Sequence, residues 1–146
     1  MTAVDFHVQV ADKMGYTCRL LRKAVARGSR LMVTGDTNLL AQLEQDLWLF
    51  SATDFVPHCA DSAPSRVRSR TPVVLADATQ TLQAADAQMI LVNLGHPVPA
   101  GFEGFARVIE VVSQDDQDLQ LARQRWRHYV RAGFSPVKYE LGAAHP

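Results

Sequence analysis

RLMVTGDTNLLAQLEQDLWL, residues 30–49, joins a short apolar strand, a turn and an amphipathic helix. The nearly continuous apolar run over 30–35 is typical of a strand that is buried on both faces of a parallel sheet. Gly35 provides a turn, and the carboxylate of Asp36 is a predicted N-cap for the helix. The apolar stripe of that helix consists of Leu39, Leu40, Leu43 and Leu47. This stretch therefore predicts a β–α unit of an α/β protein.

The segments around this unit continue the alternation of strand and helix patterns. VDFHVQV (4–10) predicts a first strand, and residues 12–27 predict a helix that ends at Gly28. The inner face of this helix is predicted to carry Met14, Cys18, Leu21 and Val25. Further elements are predicted as strands at 72–76, 88–93 and 106–112, a helix at 115–132 and an edge strand at 136–141. We therefore expect a three-layer α/β/α fold of Rossmann-like topology with an open, mostly parallel sheet of about five strands.

The composition indicates one globular domain that spans residues 1–146. Apolar residues make up 47% of the chain and charged residues 21%, a balance that argues against disorder. The 15 basic and 15 acidic residues cancel, so any electrostatic recognition must be local. No apolar run approaches the roughly 20 residues that span a bilayer, and the N-terminus lacks the features of a secretory signal. Cys18 and Cys59 lie outside any paired motif, which fits a reducing cytoplasm.

The segment SATDFVPHCADSAPSRVRSRTP (51–72) interrupts the pattern with proline, serine and arginine. It predicts a long loop, and we expect residues 59–71 of this loop to be flexible. At the end of the chain, we expect the last residues, 142–146, to fray. The loop carries Arg66, Arg68 and Arg70. These arginines are candidate contacts for nucleic-acid phosphates, but arginines in an exposed loop are more often simply solvated. Because the chain is neutral overall, direct DNA binding is the least favoured function.

Motifs for catalysis or nucleotide binding are missing from the sequence. It has neither the glycine-rich turn of dinucleotide-binding proteins nor a phosphate-binding loop with its lysine. Its five histidines include no pair at helical metal-ligand spacing, so we expect no metal site. In an alternative hypothesis, a small nucleotide-binding α/β protein or enzyme uses the carboxyl ends of the strands near Gly35, Asp36 and Asn93. The simpler interpretation of Asp36 is a helix cap.

The stretch LARQRWRHYVRAGF (121–134) concentrates arginines and aromatic rings without any acid. On a helical wheel one face carries Arg123, Trp126, Arg127 and Val130. Guanidiniums beside an apolar strip suit a peptide that bears carboxylates next to a large apolar side chain. The competing interpretation is a solvated basic face that needs no function, with Trp126 in the core beneath the arginine stems. In addition, pairing with upstream acids would neutralise part of the patch. Those acids are Glu110, Asp115, Asp116 and Asp118.

A second cluster of large apolar side chains occurs in LEQDLWLFSATDFVPH (43–58), where a helix gives way to the loop. Its members are Trp48, Phe50, Phe55, Val56 and Pro57. Such side chains must be covered either by the core of the domain or by a partner protein. The sequence pattern leaves both alternatives open.

These two stretches and three other segments resemble the chi subunit of bacterial DNA polymerase III. The other segments are CRLLRKAVARGSRLMV (18–33), ILVNL (90–94) and FEGFARVIEVV (102–112), and all five follow the order of the family over nearly the full chain. The resemblance implies a small cytoplasmic α/β accessory subunit without a catalytic centre or a cofactor. It also implies an adaptor with two protein partners: the psi subunit, which leads to the clamp loader, and the acidic C-terminal tail of single-stranded DNA-binding protein. Contact with DNA itself would be indirect or weak.

The same resemblance implies roles for individual residues. The tail ends in a phenylalanine that bears the terminal carboxylate, and Arg123 and Arg127 occupy positions where the family holds the tail's carboxylates. Trp126 is placed to form a wall of the pocket for the phenylalanine ring. The rest of the slot is expected to come from Val112, Val130, Gly133 and Phe134, with Lys138 as a further candidate. The surface that binds the psi subunit is expected to involve Trp48, Phe55, Val56 and Pro57. The arginines of 59–71 match no role in the family.

Overall fold

The computed structural model describes residues 2–49, 55–77, 81–95 and 97–141. In these ranges the strands are β1 (Ala3–Val10), β2 (Leu31–Gly35), β3 (His58–Ala60), β4 (Val73–Asp77), β5 (Ile90–Asn93), β6 (Arg107–Ser113) and β7 (Val137–Glu140). The helices are α1 (Lys13–Ala26), α2 (Thr37–Leu49), α3 (Ser65–Arg68) and α4 (Asp116–Arg131), and a 3-10 turn covers Phe102–Gly104. The strands and helices predicted from periodicity are confirmed to within a few residues at each end.

The strands form a single sheet in the order β3-β4-β2-β5-β6-β1-β7, and each neighbouring pair is parallel. The predicted α/β class is therefore confirmed, with a 7-stranded sheet instead of the expected sheet of about five strands. Parallel neighbours need long crossover connections, which explains why strands and helices alternate along the chain. The edge strand β7 pairs with β1, from Asp5 opposite Val137 to Val8 opposite Glu140.

Side chains of the sheet alternate between two apolar cores. On one face, Leu31 and Val33 of β2 belong to the core that α1 and α2 cover. On the other face, Met32 belongs to the core that includes Ala122 and Tyr129 of α4. Helices therefore lie on both faces of the sheet and give the expected three layers, with α4 opposite α1 and α2.

The three long helices, α1, α2 and α4, begin at carboxylate caps, as the sequence predicts for α2. The Oδ1 atom of Asp36 accepts a hydrogen bond from the backbone N–H of Leu39 at 2.8 Å. Asp12 and Asp115 cap α1 and α4 in the same way. Gly28, at a φ angle of +84°, ends α1 in a conformation that glycine adopts without strain. In the part of the chain that the structure describes, no helix is long and apolar enough to cross a membrane.

The predicted long loop over 51–72 contains regular structure in two places, while the flexibility of 59–71 stays a prediction. The strand β3 pairs with β4, from His58 opposite Val73 to Ala60 opposite Leu75, and α3 forms one helical turn. A strand of 3 residues and a helix of 4 residues are too short to produce a periodic pattern in the sequence. The predicted frayed tail, 142–146, and Phe50 lie outside the described residues.

An irregularity in β1 changes which way its last side chains face. Phe6 and Val8 belong to the core beneath α4, whereas Val10 belongs to the core beneath α1 and α2. The pairing register with β6 shifts between His7 and Val10, and Gln9 has a φ angle of +60°. An extra residue of this kind, a β-bulge, reverses the sides to which the following side chains point.

Candidate functional site

The helix α4 presents a basic face to solvent and buries the opposite face against the sheet. Arg123, Arg127 and Val130 are exposed, whereas Tyr129 is fully buried. The indole ring of Trp126 is partly buried and lies against Phe6, with 5.1 Å between the ring centroids. Trp126 therefore stands at the boundary between the core and the surface.

A groove of about 360 Å³ lies between α4 and the neighbouring strands β1 and β7, and we call it the α4–β1 groove. Its apolar wall consists of Phe6, Val8, Leu119, Ala122 and Trp126. Its polar rim consists of Gln9, Arg123, Lys138 and Glu140. An apolar surface with a few polar groups at its border is typical of a ligand-binding site.

The basic side chains near the groove are not neutralised by the acids that precede α4. Arg123 and Arg127 form no ion pair with any other described residue. Three of the four upstream acids have other partners in the fold, namely Glu110, Asp115 and Asp118. Neutralisation of Arg123 and Arg127 by Asp115 or Asp118 is therefore contradicted, whereas the interpretation of this face as a solvated basic surface stays an alternative.

Asp118 attaches the first turn of α4 to the rest of the fold. Its Oδ2 atom accepts hydrogen bonds from the backbone N–H and the hydroxyl of Ser113, both at 2.9 Å, and from Nζ of Lys13 at 3.0 Å. Burial alone would raise the pKa of this carboxyl, but the Ser113 N–H and the Lys13 ammonium together outweigh burial and hold the pKa below its usual value. Asp118 is therefore ionised at neutral pH and joins α4 to β6 and α1.

One ion pair lies on the rim of the groove itself. The Nζ atom of Lys138 is 3.1 Å from Oε1 of Glu140, and more than half of each side chain is exposed. Because the two residues are separated by one position on β7, their side chains point to the same side of the strand. The rim thus carries two cations, Arg123 and Lys138, and one carboxylate that competes for them. Arg127 adds a further exposed cation one turn along α4.

The other residues predicted for the slot lie in different environments. Val112 is fully buried in the core beneath α4, so its side chain does not line a surface slot. Val130 is exposed, and Gly133, at a φ angle of +93°, follows the end of α4. Phe134 is partly buried against the ring of Phe102, with 5.0 Å between the centroids. None of these four residues lines the α4–β1 groove.

Sequence reasoning identifies one side of the groove and misses the other. Of the residues named for the slot, Arg123 and Trp126 line the groove, and so does the further candidate Lys138, whereas Arg127 does not. The missed residues are Leu119 and Ala122 of α4 and, on the strands, Phe6, Val8, Gln9 and Glu140. The alternation within VDFHVQV indicates that Phe6 and Val8 share a face, but it carries no signal for the helix that covers them.

Beneath α4, Arg125 forms a buried polar network with the sheet. Its Nε atom is 2.9 Å from Oε1 of Glu110, and both side chains are fully buried. The hydroxyl of Tyr129 donates to Oε2 of Glu110 at 2.8 Å, and Nδ2 of Asn93 donates to both carboxylate oxygens, at 3.1 and 3.0 Å. Burial raises the pKa of Glu110, and the guanidinium of Arg125 opposes that rise. This network fixes the height and rotation of α4 over β6.

A cluster of aromatic side chains is exposed at the end of α2. Trp48 is 61% exposed, and its ring centroid lies 4.9 Å from that of Phe55 and 5.5 Å from that of His58. Phe55 is 47% exposed and Pro57 is also exposed, whereas Val56 is buried in the core. We call Trp48, Phe55 and His58 the aromatic cluster. The core of the domain does not cover it.

Two of the three residues considered for a nucleotide site, Asp36 and Asn93, make contacts within the fold. Asp36 caps α2, and the side chain of Asn93 donates to Glu110. Within 2–49, 55–77, 81–95 and 97–141, no three histidine, cysteine, aspartate or glutamate side chains are grouped closely enough to hold a metal ion. Burial, with the nearby carboxylate of Asp46, raises the pKa of the Cys18 thiol to about 11, so this thiol is protonated at neutral pH.

Comparison with known proteins identifies the family. The family model described as DNA polymerase III chi subunit, HolC, matches residues 1–137. The chain belongs to the DNA polymerase III chi subunit family. The DNA polymerase III subunit chi of Pseudomonas aeruginosa is 28% identical over 146 residues, which cover 97% of this chain and 98% of the relative. The subunit of the same name from Escherichia coli is 28% identical over 119 residues, which cover 81% and 78%. That from Haemophilus influenzae is 23% identical over 127 residues, which cover 86% and 85%.

Membership in the chi subunit family gives the chain a role in DNA replication as a subunit of DNA polymerase III. The resemblance drawn from five sequence segments is therefore confirmed at the level of the family. The matched residues include β1 and the whole of α4, and thus most of the α4–β1 groove. Lys138 and Glu140 follow the last matched residue.

Proposed function

We propose that this chi subunit is a non-catalytic adaptor that acts in the cytoplasm. One surface, the α4–β1 groove, binds the acidic C-terminal tail of single-stranded DNA-binding protein. A second surface binds the psi subunit, which leads to the clamp loader. The observation that carries the proposal is the groove itself, in which an apolar wall with Trp126 is bordered by Arg123 and Lys138.

The apolar wall offers a place for the terminal phenylalanine ring of the tail. The ring of Trp126 packs on Phe6 and also lines the groove, so an incoming ring meets an aromatic surface that the core already holds in place. A volume of about 360 Å³ is at the small end of the range of ligand pockets and suits one aromatic side chain with its adjoining backbone. Burial of such a ring contributes about 1.5–3 kcal/mol.

The cations at the rim complement the carboxylates of the tail. Arg123 and Lys138 line the groove, and Arg127 is exposed on the same face of α4. A charge-assisted hydrogen bond contributes about 1.5–3 kcal/mol when it is sheltered and less at an exposed rim. After the cost of association, two such bonds and one buried ring give binding no tighter than the micromolar range, which corresponds to about 8 kcal/mol. Binding of this strength permits rapid exchange between tails.

The aromatic cluster is the surface that we assign to psi. Exposed aromatic side chains are frequent anchors of protein–protein interfaces, and Trp48 and Phe55 are both about half exposed or more. The helix α2, which carries Trp48, lies on the face of the sheet opposite α4. The two partners therefore approach from different sides, and one chi subunit can hold both at once.

Calorimetry with an acidic peptide that ends in phenylalanine and a free carboxylate tests the proposal. We expect Arg123→Glu and Arg127→Glu each to abolish measurable binding, because charge reversal replaces an attraction by a repulsion. The matched control is Arg131→Glu, which changes an exposed arginine about two helical turns beyond the groove-lining Arg123, whereas Arg127 is one turn beyond it. Melting temperature and psi binding should stay near those of the wild type. Unchanged peptide affinity in both Arg123→Glu and Arg127→Glu would refute the proposal.

A further inference from the structure

Gln9 is the one non-glycine residue in the described ranges with a positive φ angle, +60°. A residue with a Cβ atom enters this left-handed region at a cost, because Cβ comes close to the following carbonyl oxygen. Asparagine and glycine tolerate the conformation better than glutamine does. Backbone strain of this kind is concentrated at binding sites, where the surrounding structure imposes it.

The bulge in β1 is the reason why Gln9 reaches the groove. In regular β1 pairing, Gln9 would point to the same side as His7, away from Phe6 and Val8. The shift in register instead sends Val10 into the core beneath α1 and α2, and it places Gln9 on the rim of the α4–β1 groove. Bulges commonly re-aim a side chain toward a functional site.

The side-chain amide of Gln9 is available for a ligand. The residue is partly buried, and its amide forms no hydrogen bond with the described part of the chain. Its backbone carbonyl is held, because it accepts a hydrogen bond from Nε2 of Gln114 at 3.3 Å. The backbone is thus fixed, and the residue that carries this amide, with both a donor and an acceptor group, lines the groove.

We propose that Gln9 is a ligand-contact residue of the α4–β1 groove and that its side-chain amide hydrogen-bonds the main chain of the bound acidic tail. An extended peptide presents unpaired N–H and C=O groups, and one glutamine amide can pair with one of each. Neither Arg123 nor Lys138 can accept a hydrogen bond from a peptide N–H, so the amide supplies what the cations lack. This inference rests on the proposed function, since it names a contact within the same groove.

The test separates the side chain from the backbone conformation. Gln9→Gly removes the amide and also removes the strain, so we expect an unfolding midpoint at or above that of the wild type together with a tail-peptide Kd raised about three- to tenfold. Gln9→Asn keeps a shorter amide in a residue that tolerates positive φ. Its Kd for the tail peptide should lie between those of the wild type and Gln9→Gly. Gln124→Ala, which changes an exposed glutamine of α4 that does not line the groove, is the control and should leave the Kd unchanged.

A peptide with one N-methylated backbone amide identifies the partner atom. A series of such peptides should contain one position where methylation weakens binding to the wild type but not to Gln9→Gly, since both changes remove the same hydrogen bond. Wild-type affinity in Gln9→Gly, with binding still lost in Arg123→Glu, would overturn this inference and leave the proposed function standing. A wild-type protein that does not bind the unmodified peptide would overturn both.

Discussion

The buried pair between Arg125 and Glu110 leads to the largest expected change in stability. In Glu110→Leu the guanidinium of Arg125 loses the carboxylate that its Nε contacts, while its Nη1 and Nη2 atoms already lack hydrogen-bond partners among the described residues. Tyr129 and Asn93 lose their acceptor in the same variant. Removal of one partner from a buried ion pair costs about 3–5 kcal/mol, a large part of the stability of about 5–15 kcal/mol that is usual for a domain.

Replacement of both charges should be much less damaging. The double variant Glu110→Leu with Arg125→Met contains no unpaired buried charge, and only the hydroxyl of Tyr129 and the amide of Asn93 lack their former acceptor. Buried ion pairs exchanged for apolar residues of similar volume are often neutral in stability. We therefore expect the double variant to regain at least half of the free energy that Glu110→Leu loses, although it carries one more substitution.

Urea unfolding followed by circular dichroism measures these differences through the midpoint and the slope of each transition. Arg123→Met changes an exposed arginine of the same helix and is the control, with an expected change below about 0.5 kcal/mol. A loss of less than about 1 kcal/mol in Glu110→Leu, or a double variant less stable than that single variant, would refute the reasoning that this pair fixes α4 to the sheet.

Three further changes test the rim of the groove, the first turn of α4 and the aromatic cluster. Glu140→Gln should tighten tail-peptide binding about two- to fivefold in calorimetry, because Lys138 no longer has an internal carboxylate; an unchanged Kd would contradict this. Asp118→Asn should cost about 1–2 kcal/mol at neutral pH. Because the folded pKa of Asp118 is lowered, that difference is fully present above the unfolded pKa of about 4 and is lost as the pH falls through the folded pKa, so a difference in urea midpoints that does not shrink below pH 4 speaks against it. Trp48→Ala should weaken psi binding at least about tenfold and leave tail binding intact, whereas loss of both would show that the surfaces are not separate.

Features that depend on neighbouring residues in the chain were predictable. The cap at Asp36 and the spacing of Leu43 and Leu47 act within one helix, and both leucines are buried as the pattern requires. Helical spacing also predicted the inner face of α1, where Cys18 and Leu21 are buried in the core. The α/β class followed from the alternation of such local signals.

Features that depend on contacts between distant segments were not predictable. The groove side formed by β1 exists because β7 and β6 flank that strand, and no periodicity encodes which strands are neighbours. The bulge at Gln9 and the pairing of Arg125 with Glu110 also depend on contacts between segments that are distant in the chain. Val112 was assigned to the slot by resemblance, but its strand lies inside the sheet and its side chain is buried beneath α4.

The two tryptophans of the chain allow the most direct test of the central claim, that the α4–β1 groove binds the acidic tail. In Trp48→Phe, Trp126 is the single tryptophan and reports on the groove. Titration with the tail peptide should change its fluorescence emission saturably, with the Kd found by calorimetry, and Arg123→Glu in the same background should abolish the change. The reciprocal variant Trp126→Phe, which retains Trp48, should not respond. An unaltered Trp126 emission at peptide concentrations far above that Kd, or an equal response from Trp48, would contradict the account.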